Sequence, residues 1–196
     1  MVGLVSNMLC EVECCYPVVI PAKSLDRSGL VPQSTIVTCL LKQLLNCKAA
    51  EECGYFLAVT NLKSIDNGKF NDSDKYLLFL VTFCCRTFLP VNGEVMLGVV
   101  QSIHRRGVFL KCGPMKYVYL SARKMPNYYY VDGKNPYFIS DDLSRIENDV
   151  VIRFMVFGVR WTTKNQQVER EFMILATLEG DRLGPISLPG SDELGL

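Results

Sequence analysis

Between Gln33 and Cys47 the apolar residues Ile36, Val37, Leu40, Leu41, Leu44 and Leu45 recur at spacings of three and four. That spacing is one stripe of an amphipathic helix, a stripe made to pack against a sheet. The flanking segments follow a different pattern. MLCEVECCYPVVI (8–20), YFLAVTNLKSI (55–65) and KYLLFLVTFCCRTFL (75–89) are β-rich runs and read as strands. SLDRSGLVP (24–32) reads as a loop and the polar DNGKFNDSD (66–74) as a turn region. The first 88 residues are therefore expected to lay a helix on a curved antiparallel sheet.

The pattern changes at Pro90-Val91-Asn92-Gly93, which reads as a hinge. Short strands are predicted at about 93–103, 107–113, 116–121, 150–161 and 168–178, separated by glycine turns. Five such strands predict a small closed β-barrel of the OB type. A long insertion, RKMPNYYYVDGKNPYFISDDLSRIEN (123–148), carries Tyr128, Tyr129, Tyr130 and Tyr137, which are expected to cap the open end of the barrel. Trp161 closes the fourth strand before the polar turn TTKNQQ, and the tail LPGSDELGL is expected to fray. The fold class is thus α+β, with a helix-on-sheet domain over 1–88, an OB-type barrel over 89–188 and a flexible tail over 189–196.

Within the barrel, parity along two strands separates core from surface, because successive strand side chains point to opposite faces. Val108, Leu110, Val118 and Leu120 fall on the core side. Phe109, Lys111, Tyr117, Tyr119 and Ser121 fall on the other. The turn before them holds Arg105 and Arg106 ahead of Gly107. Residues 89–125 contain six Lys or Arg (Arg105, Arg106, Lys111, Lys116, Arg123, Lys124) against Glu94 alone, in a chain of net charge +1. Outward aromatic rings beside cations suit single-stranded nucleic acid: bases stack, and cations track phosphates. A second reading stands beside it, in which the rings pack under a neighbouring loop and the charges form a solvated face.

The remaining composition excludes more than it suggests. The nine cysteines include no Cys-x-x-Cys pair and His104 is the sole histidine, so zinc-ribbon and zinc-finger spacings are absent and no metal is expected. Several cysteines lie in apolar runs, as in FLVTFCCRTF, and read as reduced thiols packed as small hydrophobes. No Walker-type phosphate loop and no Ser-His or Cys-His constellation occurs. Asp141, Asp142 and Glu147 sit in the insertion, and Glu169 and Glu171 flank Arg170 as edge charges rather than a metal-holding pair. No catalysis, no cofactor and no membrane span are expected, and MVGLVSNMLCEVECC lacks the basic leader of a secretory signal.

Five motifs in order carry a resemblance over nearly the whole chain. MLCEV (8–12) is similar to a Met-Phe-x-x-Val first strand, which makes residues 1–7 an extension. GYFLAVT (54–60), NGEVMLGVV (92–100), GVFLKCGPMKYVYLS (107–121) and LEGDRLGPIS (178–187) follow. Together they resemble the seventh-subunit family of eukaryotic nuclear RNA polymerases. KMPNYYYVDGKNPYF (124–138), SRI (144–146), VEREF (168–172) and GDRLGP look like the plant polymerase IV and V versions rather than those of polymerase II. The chain departs from the family at Asp66, which replaces the first glycine of an Ile-Gly-x-Gly tip loop. It also departs at Lys75 and Leu80, and at Asn92, where the family has a lysine.

The resemblance implies a non-catalytic stalk subunit in the nucleus. It would pair with a helical fourth-subunit homologue and dock on the clamp of the largest subunit through Ile65, Asp66, Asn67 and Gly68. Its barrel would meet nascent single-stranded RNA. Arg106, Phe109 and Tyr119 take the family's RNA-facing positions, with Arg105, Lys111, Tyr117 and Lys124 beside them. The process implied is small-RNA production and RNA-directed DNA methylation, hence gene silencing. Alternatives are the equivalent polymerase II subunit, a purely structural docking module whose aromatics are buried, and an independent OB ribonuclease.

Overall fold

The computed structural model describes residues 8–24, 30–71, 76–162 and 171–186. All but Thr162 of the expected turn TTKNQQ (162–167), the fraying tail, the extension at 1–7 and the start of the last barrel strand lie outside the described residues, as does most of the loop at 24–32. The described chain is mostly β, with one α-helix and three sheets, an α+β arrangement. It divides between Leu89 and Pro90 into two compact units.

The first unit contains β1 (Leu9–Pro21), α1 (Gln33–Cys47), β2 (Ala49–Ala50), β3 (Gly54–Ile65), β4 (Lys69–Asn71) and β5 (Tyr76–Phe88). Its sheet runs β1-β5-β3-β2, with β4 added on β5. β1 and β5 pair antiparallel without interruption from Leu9↔Phe88 to Pro21↔Tyr76. β3 follows β5 with register shifts at Phe56/Ala58, Val59/Asn61 and Leu62/Ser64. Such bulges sharpen the twist, and so curve the sheet around the helix. α1 lays Ile36, Leu40 and Leu44 on Val18, Ile20, Phe79, Val81, Phe83 and Cys85. The buried row is narrower than the sequence stripe: Leu41 and Leu45 stay exposed. A sheet face meets one i, i+4, i+8 row, and leucines one position further round the helix miss it. β4 lies within the segment read as a turn, held by Lys69↔Leu78 and its neighbours.

The second unit contains β6 (Val95–His104), β7 (Gly107–Cys112), β8 (Met115–Ser121), β9 (Tyr128–Val131), β10 (Tyr137–Ser140), β11 (Arg145–Ile146), β12 (Val151–Thr162), β13 (Glu171–Thr177) and β14 (Gly184–Pro185). Its main sheet runs β13-β8-β7-β6-β12-β14, and β12 also pairs with β13. The β8–β13 pair is parallel and the others antiparallel. Val108, Leu110, Val118, Leu120, Ile152, Phe154 and Ile174 are completely buried. At about 1.5–3 kcal/mol for each fully buried aliphatic or aromatic side chain, this set is a main source of the unit's stability. The 123–148 insertion forms its own sheet, β11-β10-β9, around buried Phe138 and Ile146.

Candidate nucleic-acid interface

The β6–β7–β8 face is built around one turn. Gly107 has φ +152°, and a Cβ there would lie 2.3 Å from the Leu120 carbonyl oxygen. Only glycine lets β7 start so close to β8, and this closeness sets where Arg105 and Arg106 emerge. The Arg106 carbonyl accepts two hydrogen bonds, from the Tyr119 hydroxyl at 2.7 Å and from the Ala122 N–H at 2.9 Å. Both arginines are exposed, so a hydrogen-bonded turn presents two cations to solvent.

Parity places the remaining side chains. Along β7 burial alternates, with Val108 and Leu110 inside and Phe109 and Lys111 outside. Phe109 and Tyr119 are directly opposed across β7 and β8, their ring centres 5.0 Å apart and tilted by 43°. His104 adds an edge contact to Phe109 at 5.9 Å. Phe109 is 36% exposed and Tyr117 44% exposed. Tyr119 is half-buried, and with its hydroxyl on Arg106 it holds the turn as well as offering a ring edge. Tyr117 lies beside Met173 of the parallel neighbour β13. Among the described residues no carboxylate stands within ion-pair distance of Arg105, Arg106 or Lys111.

Lys124 stands apart from this group. Its ammonium pairs with Glu179 at 2.8 Å and lies 4.3 Å over the Phe157 ring. Two groups outside the candidate set lie by the hairpin instead. His104, read as a lone histidine at the basic hairpin, joins the ring cluster through its edge contact with Phe109. Tyr130, from the insertion, feels the Arg105 guanidinium. Desolvation and the Asp132 carboxylate push its hydroxyl pKa up, while Arg105 opposes them. No local sequence signal brings β9 to that turn.

In the first unit, Ile65 is half-buried against the core, while Asp66, Asn67 and Gly68 are exposed. The Asp66 N–H donates to the Leu80 carbonyl at 3.0 Å. A Cβ at Gly68 would meet the Phe79 ring at 2.6 Å, so this loop lies flat on the sheet end. Beside it Val31, Gln33, Ile36, Leu62, Lys63, Ser64 and Ile65 line a cleft of about 370 Å³. The cleft joins the helix start to the end of β3, and no sequence pattern marks it. Among the described residues no cluster of three or more His, Cys, Asp or Glu is placed to hold a metal, and no helix is long and apolar enough to cross a membrane.

The chain is thus a mixed α+β protein with an exposed face that combines aromatic rings with cations lacking an ion-pair partner among the described residues. No family model matches the chain. It is 42% identical over 180 residues to the Arabidopsis thaliana DNA-directed RNA polymerase V subunit 7, covering 92% of this chain and 99% of that protein. It is 38% identical over 178 residues to DNA-directed RNA polymerase IV subunit 7 of the same plant, covering 91% and 99%. Similarity to the Glycine max DNA-directed RNA polymerase II subunit RPB7 is lower, 28% over 140 residues, covering 70% and 76%. The chain belongs to the subunit 7 family of DNA-directed RNA polymerases, on the side of the polymerase IV and V members. As a member it is an accessory, non-catalytic subunit.

Proposed function

We propose that the chain is the stalk subunit of a plant nuclear RNA polymerase of type IV or V, and that it contacts nascent RNA through the β6–β7–β8 face. The observation that carries the RNA contact is the juxtaposition, on the β6–β7–β8 face, of exposed Phe109 and Tyr117 with Arg105, Arg106 and Lys111, which have no ion-pair partner among the described residues. Base stacking on such rings is sequence-tolerant, which suits a transcript of any sequence. The ring of pairings β6-β7-β8-β13-β12, with β8 and β13 parallel, supports reading the second unit as an OB-type barrel.

In this reading the first unit is the docking domain. Ile65–Gly68 meets the clamp of the largest subunit, and a helical fourth-subunit homologue completes the stalk. Asp66 adds a negative charge at that contact. The higher identity to the polymerase IV and V subunits favours those cores, and through them small-RNA-linked gene silencing in the nucleus. The purely structural alternative asks for Tyr117 and Tyr119 both to be covered, and the 44% exposure of Tyr117 counts against it.

The test uses the full chain with its fourth-subunit partner and a labelled single-stranded RNA of mixed sequence. Phe109→Ala combined with Tyr117→Ala should weaken binding by about ten-fold per lost ring, since a stacked base contributes roughly 1–3 kcal/mol. Fluorescence anisotropy reads the Kd, and thermal unfolding checks that the fold is intact. An unchanged Kd overturns the RNA contact and leaves assembly as the remaining role.

A further inference from the structure

The first unit's sheet carries a pair of thiols that neither docking nor RNA contact uses. Cys14 lies on the inward side of β1, and Cys53 ends the turn between β2 and β3. Their sulfurs are 4.0 Å apart although the residues are 39 positions apart in sequence. Both residues are part-buried and neither is bridged. Gly54 fixes the turn that presents Cys53. Its φ is +82°, and a Cβ there would lie 2.4 Å from the Phe88 carbonyl oxygen, so the backbone is held against β5 by a contact only glycine permits.

We propose that Cys14 and Cys53 form a peroxide-sensitive dithiol that closes to a disulfide in the folded subunit. The sulfurs must approach by about 2 Å to reach bonding distance, within the sweep of a thiol about its Cα–Cβ bond. Hydrogen peroxide is the oxidant, small and neutral enough for a part-buried site beside the exposed Glu51 and Glu52. The Cys53 thiolate attacks one peroxide oxygen. The O–O bond breaks, hydroxide leaves and takes up a proton as water, and Cys53 becomes a sulfenic acid. The Cys14 thiol then forms the S–S bond, expelling the sulfenic oxygen as a second water. Two thiols and one peroxide thus give one disulfide and two waters.

The order of attack follows from the surroundings. Burial, with the Cys53 sulfur next to it, pushes the Cys14 thiol up to about 12. Cys14 is therefore a poor first nucleophile and serves as the resolving thiol. Cys85 lies close by but is fully buried, and its thiol donates to the Arg86 carbonyl at 3.4 Å. The bridge would close a loop that contains all of α1, tying β1 to the turn beyond the helix. Cross-linking of this kind restricts the unfolded chain most.

The experiment exposes the reduced full-length chain to graded hydrogen peroxide, with differential maleimide labelling and peptide mass spectrometry as the readout. The expected result is a Cys14–Cys53 linked peptide, with two thiols lost, before any other cysteine pair is bridged. That selectivity should vanish in urea, and the thermal midpoint of the oxidised protein should rise by several degrees. In Cys14→Ser, Cys53 should be trapped by dimedone as the sulfenic acid. If the first bridge involves other cysteines, or if both thiols remain open to maleimide while others oxidise, the proposal is overturned. The wild-type labelling decides this even if the serine variant fails to fold.

Discussion

The outer face of the first unit's sheet and the outer face of the β6–β7–β8 strands share the same two-residue periodicity, yet their charges end differently. On the first, Glu11 accepts from the Thr60 hydroxyl at 2.6 Å, and Glu13 pairs with Lys63, both contacts reaching over β5. On the second, Arg105, Arg106 and Lys111 project beside exposed rings, with no carboxylate at hand among the described residues. A strand face with charges of both signs within reach satisfies itself and needs only water. A face with cations and π surfaces of one kind leaves its electrostatics open for an anionic, flat-sided partner. Net charge hides this difference, since the whole chain carries only +1.

The largest effect that would break the comparison acts on the hairpin's frame. Gly107→Ala forces a Cβ to within 2.3 Å of the Leu120 carbonyl oxygen at a φ few side chains adopt. It should destabilise the second unit by about 3 kcal/mol or more, read by denaturant unfolding. Gly113 makes the control. It also has positive φ, +53°, but a Cβ there meets nothing within 4 Å. Gly113→Ala should therefore cost only the backbone strain, about 1 kcal/mol. Equal losses at the two glycines would mean that close approach of β7 to β8 is not what sets the turn.

A smaller effect separates the cations from the rings. Arg105→Ala with Arg106→Ala should lower the slope of log Kd against log salt for single-stranded RNA by about 0.7 for each phosphate contact removed. Phe109→Ala should weaken binding while leaving that slope unchanged. Lys124→Ala should alter the slope little, because its ammonium is already paired with Glu179. A slope indifferent to both arginines would mean that the turn does not track phosphates.

How much of this was legible in the chain depends on whether a feature is local. The bounds of α1 and the inward set Val108, Leu110, Val118 and Leu120 follow from periodicity alone, and the structure has them as expected. β4 was not legible, because Lys69–Asn71 becomes a strand only through its pairing with β5. Leu41 and Leu45 sit on the right stripe but miss the sheet, which periodicity cannot weigh. The insertion read as a cap also forms strand pairs of its own, since Tyr137–Ser140 opposes both Tyr128–Val131 and Arg145–Ile146, and those pairs were not legible. Within the candidate site, which way Phe109 and Tyr117 point was readable. That Tyr119 spends its hydroxyl on Arg106, and that Lys124 is committed to Glu179, was not. Each rests on a contact between residues far apart in sequence, 13 and 55 positions respectively.

The smallest effect is expected on the self-satisfied face, and it sharpens the comparison most. The Lys63–Glu13 pair is open to solvent, with side chains 45% and 54% exposed. The hydrogen bond to Glu13 holds the Lys63 ammonium above the ordinary lysine range. A raised pKa in the folded state means that any stabilisation is complete below the unfolded lysine value and is lost as pH rises through the folded one. At neutral pH the pair is therefore at full strength. Even so, solvent and salt screen an exposed pair, and the entropy of fixing two long side chains offsets most of its attraction. Lys63→Met should leave the thermal midpoint at pH 7 and physiological salt unchanged within error, and should leave RNA affinity unchanged as well. A clear fall in midpoint would show that the first unit needs its outer charges to hold β1 and β3 over β5. The contrast would then lie between a face that stabilises and a face that binds, rather than between a finished surface and an open one.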